Sequence, residues 1–152
     1  MHDADPLFPP RLSARAVKAP ETPMAVAVME AARGGLGAGD LVWARDTSAA
    51  RIALVLEPEV DRETATQMLP LAAVAAADAL GQLIPEQIPV EHLWPGRLLV
   101  DGGIAGGIEV VIGPDGPDGR PRWMVVAIDI VIRRADRDRE PGETDPLTSL
   151  HE

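Results

Sequence analysis

The most informative part of the chain is the stretch Glu91-His-Leu-Trp-Pro-Gly-Arg-Leu-Leu-Val-Asp-Gly-Gly-Ile-Ala-Gly-Gly-Ile-Glu109. It predicts two short strands joined by a tight turn at Asp101-Gly102-Gly103, because an Asp-Gly pair between apolar runs favours a β-hairpin. A Trp94-Pro95 corner leads into the first strand. Residues 123–132 form the longest apolar stretch that is rich in β-branched side chains, which predicts a central strand.

Upstream of this stretch, helical and strand patterns alternate. Residues 24–33 place apolar side chains at helical spacing, and the glycine-rich run at residues 34–39 ends that helix. Strands are predicted at residues 41–44 and 52–57. Residues 45–51 between them are the size of a hairpin turn.

Asp61 can cap a further helix, and Pro70 must break or restart it, because a proline inside a helix removes a hydrogen bond and clashes with the preceding turn. A strongly apolar helix then runs from Pro70 to about Gln82. The order is therefore helix, β, β, helix, β, β, β. It predicts an α+β fold in which a mixed or antiparallel sheet carries helices mainly on one face.

The chain divides into three predicted segments. Residues 1–23 are rich in proline and are expected to form an extended N-terminal arm. Residues 24–132 are the expected folded domain, and residues 133–152 are a mostly polar tail. The tail closes on Ser149-Leu-His-Glu152, which fits the capping box at the start of a helix. Two interpretations stay open: a chance match, or the start of a further C-terminal region.

Composition excludes several classes of function. A length of 152 residues suits one domain, and the net charge of −10 disfavours nucleic acid and anionic membranes as partners. The absence of cysteine excludes disulfides and a thiol nucleophile, and the three scattered histidines predict no metal site. No signal peptide is recognisable, and the longest apolar run is shorter than the about 20 residues that span a bilayer. A cytoplasmic protein is expected.

The stretch quoted above resembles the signature of biotin/lipoate protein ligases, in which Trp-Pro-Asn-Asp leads a strand and a Lys-x-x-Gly segment follows. Trp94, Pro95, Gly106 and Gly107 match this signature. The resemblance covers about residues 24–132 in the order of elements. It implies the α+β catalytic fold of class II synthetases and biotin/lipoate ligases.

The resemblance also implies a chemistry. Members of this family make an acyl-adenylate from biotin or lipoate and ATP, and then transfer the acyl group to a lysine on a carrier protein. If the activity is retained, biotin or lipoate and ATP are the expected ligands, and a carrier protein is the expected partner.

The sequence departs from the family where the charged groups are expected. Ile104 stands at the position of the active lysine, and Lys18 is the only lysine in the chain. Gly96 and Arg97 replace the Asn-Asp pair, and residues 45–51 contain no glycine where the family has an arginine- and glycine-rich loop. The family pattern Gly-Ile-Gly-Ile-Asn in the last strand corresponds to Ala127, Ile128, Asp129, Ile130 and Val131.

The candidate ligand-binding residues are therefore Trp94, Gly96, Arg97, Gly106, Gly107 and Asp129. Arg97 can bind a carboxylate or phosphate with two hydrogen bonds, or be an exposed arginine at a strand end. Trp94 can line an apolar pocket or fill the core. The paired glycines permit close approach of a ligand, or a bulge and tight strand packing. Asp129 is either paired inside the protein or exposed on the sheet.

Three functions are compatible with these features. The first is a degenerate ligase-like domain that binds a small carboxylate-bearing acyl ligand without efficient adenylation. The second is a working ligase of divergent mechanism that uses Arg97 in place of the lysine. The third is a non-catalytic structural or interaction domain of a longer protein. Acyltransferases that depend on cysteine are excluded by composition.

Overall fold

A computed structural model of the chain describes residues 5–46 and 48–132. Its strands there are β1 (Ser13–Val17), β2 (Asp40–Ala44), β3 (Ala49–Leu56), β4 (Val90–Leu93), β5 (Arg97–Val100), β6 (Gly103–Ile112) and β7 (Met124–Val131). Within the described residues these seven strands form one sheet in the order β1-β2-β3-β7-β6-β5-β4. β1 and β2 are parallel, and the other neighbouring strands are antiparallel. The predicted α+β class and mixed sheet are confirmed.

The helices of the described residues are α1 (Pro23–Ala32), α2 (Arg62–Ala65) and α3 (Met68–Leu83). Pro70 lies in the first turn of α3. Backbone N–H groups in the first turn have no acceptor within the helix, so the absence of an N–H at Pro70 removes no helical hydrogen bond. The predicted break near Pro70 is confirmed, although α3 starts slightly earlier than expected. None of the helices in the described parts of the chain has the length and apolar character that a membrane crossing requires.

Local sequence sets both ends of α1. The Thr22 hydroxyl accepts a hydrogen bond from the N–H of Ala25 at 3.3 Å, which caps the first turn. Pro23 occupies the first helical position, where no N–H is needed. Gly34 follows the helix with a φ of +75°, a conformation that glycine adopts without steric cost.

The predicted hairpin joins β5 and β6. Asp101 and Gly102 have φ angles of +50° and +75°. Two successive positive φ angles are typical of the turn that matches the right-handed twist of paired strands. The hairpin predicted at Asp101-Gly102-Gly103 is therefore confirmed.

The two long helices pack on opposite faces of the sheet. α1 contributes to a core that includes Ala53 and Val125, whereas α3 contributes to one that includes Ile108 and Val126. Val125 and Val126 are neighbours in β7, and successive side chains of a strand point to opposite faces. This corrects the expectation of helices mainly on one face. The reason is the continuous apolar run of β7, which must be covered on both sides.

Two edge strands are not predicted by the sequence. β1 lies within the segment 1–23 that was expected to be an extended arm, and β4 lies just before the Trp94-Pro95 corner. Both are short and carry few buried side chains, so their apolar alternation is weak. The domain bounds 24–132 stay a prediction. The tail at residues 133–152, with its capping-box motif, lies outside the described residues.

Strands β6 and β7 approach each other closely at Gly106. A Cβ placed there would lie 2.0 Å from the backbone oxygen of Asp129 and 2.9 Å from the Cα of Ile130. Gly106→Ala is therefore expected to lower the free energy of unfolding by about 1–3 kcal/mol, because the strands must separate to admit the methyl group. Urea unfolding followed by circular dichroism measures this change.

Gly81→Ala in α3 is the matched control. No atom lies within 4 Å of a Cβ added at Gly81. Alanine is expected to stabilise the protein there by about 0.4–1 kcal/mol, because it restricts the unfolded chain and suits a helix. If Gly106→Ala unfolds at the same urea concentration as the wild type, the close approach of β6 and β7 is contradicted.

Candidate functional site

A cavity of about 670 Å³ lies between the N-terminal turn of α1 and the sheet. Residues 22–24 form one wall, and residues 95–97, where the Trp-Pro corner enters β5, form another. Parts of β3, β6 and β7 form the floor. The N-terminus of a helix carries partial positive charge, so the α1 wall favours an anionic group.

Four paired strands place one residue each in a row across the floor of the cavity. Arg97 in β5 lies opposite Gly107 in β6, and Gly107 lies opposite Asp129 in β7. Asp129 in turn lies opposite Arg51 in β3. Residues directly opposite each other share a face of the sheet, and all four line the cavity. Since Gly107 has no side chain, it leaves an open position between Arg97 and Asp129.

Arg51 is held between two carboxylates. Its Nε donates to Oδ2 of Asp129 at 2.9 Å, and its Nη1 donates to Oδ2 of Asp46 at 2.7 Å. The hydroxyl and the backbone N–H of Ser48 donate to Oδ1 of Asp46 at 2.6 and 2.8 Å. The two bonds from Ser48, and then the charge of Arg51, hold the pKa of Asp46 below its ordinary value. Arg51 therefore has its charge compensated before any ligand binds.

The other two charged residues of the cavity are Arg97 and Glu109. Both are exposed. Among the residues that the structure describes, neither has a side-chain hydrogen bond or an ion pair. Glu109 lies two positions beyond Gly107 along β6 and so points to the same face. Two arginines and two carboxylates line the cavity, and their formal charges cancel.

The structure brings together Gly96, Arg97, Gly107 and Asp129 of the predicted candidates. The side chain of Asp129 is exposed on the sheet and also forms an ion pair with Arg51. Both alternatives for Asp129, pairing and exposure, therefore hold in part. Trp94 neither lines the cavity nor fills the core, since it is 69% exposed. Gly106 lies outside the cavity lining, and its contact with β7 favours the tight-packing alternative.

Ile104 pairs with Leu99, and a β-bulge separates this pair from the neighbouring pair of Leu98 with Gly106. Leu98 is fully buried on the α3 side of the sheet, so Leu99 and its partner Ile104 belong to the cavity face. Ile104 is half-buried and does not itself line the cavity. Its side chain carries no charge.

Backbone contacts explain why position 96 is a glycine. The oxygen of Gly96 accepts a hydrogen bond from the N–H of Ile108 at 2.6 Å. A Cβ added to Gly96 would lie 2.5 Å from the oxygen of Ile108. The asparagine of the ligase signature therefore does not fit at this corner in the observed geometry.

The described residues of the short connection between β2 and β3 add no cation to the cavity. Arg45 donates to Asp5 at 2.8 Å and lies 4.9 Å from the ring centroid of Trp43, away from the cavity lining. Within residues 5–46 and 48–132, no cluster of histidine and carboxylate side chains could hold a metal ion.

Sequence reasoning does not single out Arg51 or the first turn of α1, and it does not count Glu109 among the candidate ligand-binding residues. One signal was present, because Arg51 directly precedes a predicted apolar strand and Asp129, of opposite charge, interrupts another. Such residues are expected to pair if their strands are neighbours. The sequence does not show that β3 and β7 are neighbours, since they are far apart in the chain.

The Arg51 network can be tested through its pH dependence. Because the pKa of Asp46 is lowered in the folded state, its contribution to stability is present above the ordinary value of 3.8 and is lost as the pH falls through the lower folded-state value. Asp46→Asn is therefore expected to be less stable than the wild type at neutral pH, and the difference is expected to shrink below pH 3.8. Urea unfolding as a function of pH measures this difference, and a difference that does not change with pH contradicts the network.

The chain matches the model of the biotin/lipoate A/B protein ligase family over residues 8–152. It is similar to a solved biotin protein ligase-like protein of unknown function from a Silicibacter species, with 34% identity and a TM-score of 0.80. That match covers 95% of this chain and 61% of the other. A comparison with curated proteins finds no significant match.

Two more distant structures show the fold alone. The apo biotin protein ligase of Aquifex aeolicus has 14% identity and a TM-score of 0.64, over 92% of this chain and 58% of the other. Biotin acetyl coenzyme A carboxylase synthetase of Helicobacter pylori, solved with bound biotinylated ATP, has 16% identity and a TM-score of 0.60. That match covers 83% of this chain and 63% of the other. The chain thus spans about three fifths of the length of these relatives. Because the family model matches almost the whole chain, the chain belongs to the biotin/lipoate A/B protein ligase family.

Proposed function

We propose that this chain is a degenerate ligase-like domain that binds a small carboxylate-bearing acyl ligand, such as biotin or lipoate, without adenylating it efficiently. The proposal rests on the formal charges of the cavity lining, which cancel because it contains two arginines and two carboxylates. Ile104, which stands at the position of the family's active lysine in the resemblance, adds no cation.

Adenylation places demands on a site that this balance does not meet. The reaction joins a carboxylate to a phosphate of ATP, so it brings two anions together. Fixed cations aimed at the developing charge supply much of the rate in such reactions. Arg51 already shares its charge between two carboxylates at 2.7 and 2.9 Å. One further guanidinium, that of Arg97, can neutralise one carboxylate but not a triphosphate as well.

The same cavity suits the binding of a small acid. A guanidinium can form two parallel hydrogen bonds with a carboxylate, and Arg97 has no competing partner among the described residues. The first turn of α1 adds partial positive charge on the opposite wall. Met24, Pro95 and Ala127 contribute apolar surface for the rest of an acyl ligand.

A second candidate function is a divergent ATP-dependent biotin/lipoate–protein ligase, with Arg97 in place of the lysine and a carrier protein as acceptor. The position of Arg97 at the cavity favours it. It ranks second, because ATP would have to bind beside the carboxylates of Asp129 and Glu109. For both candidate functions, the proposed location of the protein is the cytoplasm. A structural or interaction domain of a longer protein, the third reading, would be favoured if no acyl ligand bound.

Isothermal titration calorimetry tests the proposal. Biotin or lipoate is expected to bind the wild type. Arg97→Ala is expected to weaken that binding by about tenfold or more, since a hydrogen bond to a charged group contributes roughly 1.5–3 kcal/mol.

Arg122→Ala is the matched control, because Arg122 is exposed and lies outside the cavity lining. It should leave the affinity unchanged. Absence of heat with both ligands, or equal affinity in Arg97→Ala and the wild type, would count against a carboxylate-binding cavity.

A further inference from the structure

We propose that the outer face of α3, together with the groove beside its second half, is a docking surface for a basic and apolar segment of a partner protein. α3 packs on the face of the sheet opposite to α1 and the cavity. The proposal therefore does not depend on the proposed function, and a partner bound here leaves the cavity open.

The first argument is the charge of this part of the chain. Residues 63–96 contain no lysine or arginine, and their four carboxylates are Glu63, Asp78, Glu86 and Glu91. None of these carboxylates forms an ion pair within the described parts of the chain. The surface of a soluble domain usually mixes charges of both signs, so this region differs from an ordinary surface by its lack of cations.

The second argument is the apolar surface that α3 leaves exposed. The inner face of the helix packs on the sheet, but on the outer face Leu71 is 61% exposed and Val74 is 51% exposed. Ala75 and Asp78 are also exposed, and their helical spacing from Leu71 and Val74 brings them to the same face. Asp78 is the only charged residue of the whole helix. A helix that is apolar on its outer face as well is typical of one that is covered on both sides.

The third argument is a groove of about 540 Å³ between the second half of α3 and the connection that leads to β4. Ala77, Pro85 and Ile88 contribute apolar walls, whereas Asp78 and Glu86 are the charged residues of its lining. No lysine, arginine or histidine of the described residues lines the groove. The side chain of a lysine or arginine fits such a groove, because its apolar stem packs on the walls while its charge reaches a carboxylate.

The charges decide between the classes of partner. Two copies of this chain that paired their α3 helices would bring both Asp78 side chains into one interface without a cation from either helix. Nucleic acid and an anionic membrane carry the same sign of charge as the groove and would be repelled. A protein segment in which lysine or arginine alternates with large apolar side chains satisfies both the carboxylates and the apolar outer face.

Heteronuclear NMR on the isotope-labelled full chain tests the proposal with a model peptide. The probe is a short amphipathic peptide of leucine and lysine at helical spacing. One matched peptide has glutamate in place of each lysine, and another has serine in place of each leucine. The leucine–lysine peptide is expected to shift the amide signals of residues 71–90, and the two matched peptides are expected to leave those signals unchanged.

Charge reversal tests the role of the two carboxylates in the groove. Asp78→Lys and Glu86→Lys are each expected to weaken the binding of the leucine–lysine peptide by about fivefold or more, because an attraction becomes a repulsion. Glu59→Lys is the matched control, since Glu59 is exposed and lies outside the groove lining. It changes the net charge of the chain equally and should alter the affinity by less than about twofold. Thermal melting checks that the variants fold.

The proposal is overturned if the leucine–lysine peptide does not bind, or if its shifts spread over the chain without preference for residues 71–90. Equal weakening in Glu59→Lys and the two groove variants would show attraction to the net charge alone, which also overturns it. The same holds if sedimentation shows a dimer that Val74→Asp separates, because a second copy would then occupy the outer face. None of these results bears on the binding of an acyl ligand in the cavity.

Discussion

Everything at the cavity depends on how Arg51 is held. Its guanidinium, which projects from β3, bridges Asp46 in the connection after β2 and Asp129 in the neighbouring strand β7. The side chains are half-exposed, so the bridge contributes geometry more than stability. The bridge affects the chemistry of the cavity more than it affects stability. A cation that points into the cavity is neutralised in advance, and only Arg97 stays available to a ligand.

The scaffold around this bridge is well defined by packing. The Asp101-Gly102 turn fixes the register of β5 and β6, and Gly106 lets β6 lie close to β7. Helices on both faces bury the apolar run of β7. The fold of the family is therefore kept by apolar contacts and backbone geometry, which do not require the charges that adenylation needs.

The sequence predicts what depends on local physics. The α1 helix, the hairpin and the β7 strand follow from capping, turn chemistry and apolar runs, and the Trp-Pro corner with its glycines indicates the family. The parts that depend on long-range pairing escape prediction. The row from Arg97 to Arg51 exists only because strands distant in the chain are neighbours. The placement of Trp94 also escapes prediction, since a tryptophan suits an apolar pocket or a core on composition alone.

Exchange of labelled pyrophosphate into ATP, which reports reversible formation of an acyl-adenylate, measures directly whether this cavity activates a carboxylate. The wild-type chain is incubated with ATP, Mg²⁺ and saturating biotin or lipoate, beside its Arg97→Ala variant. No exchange above background is expected for either protein, because the cavity has no excess of cations to hold a triphosphate beside a carboxylate. Exchange by the wild type that disappears in Arg97→Ala would contradict the proposed function and establish the divergent ligase instead.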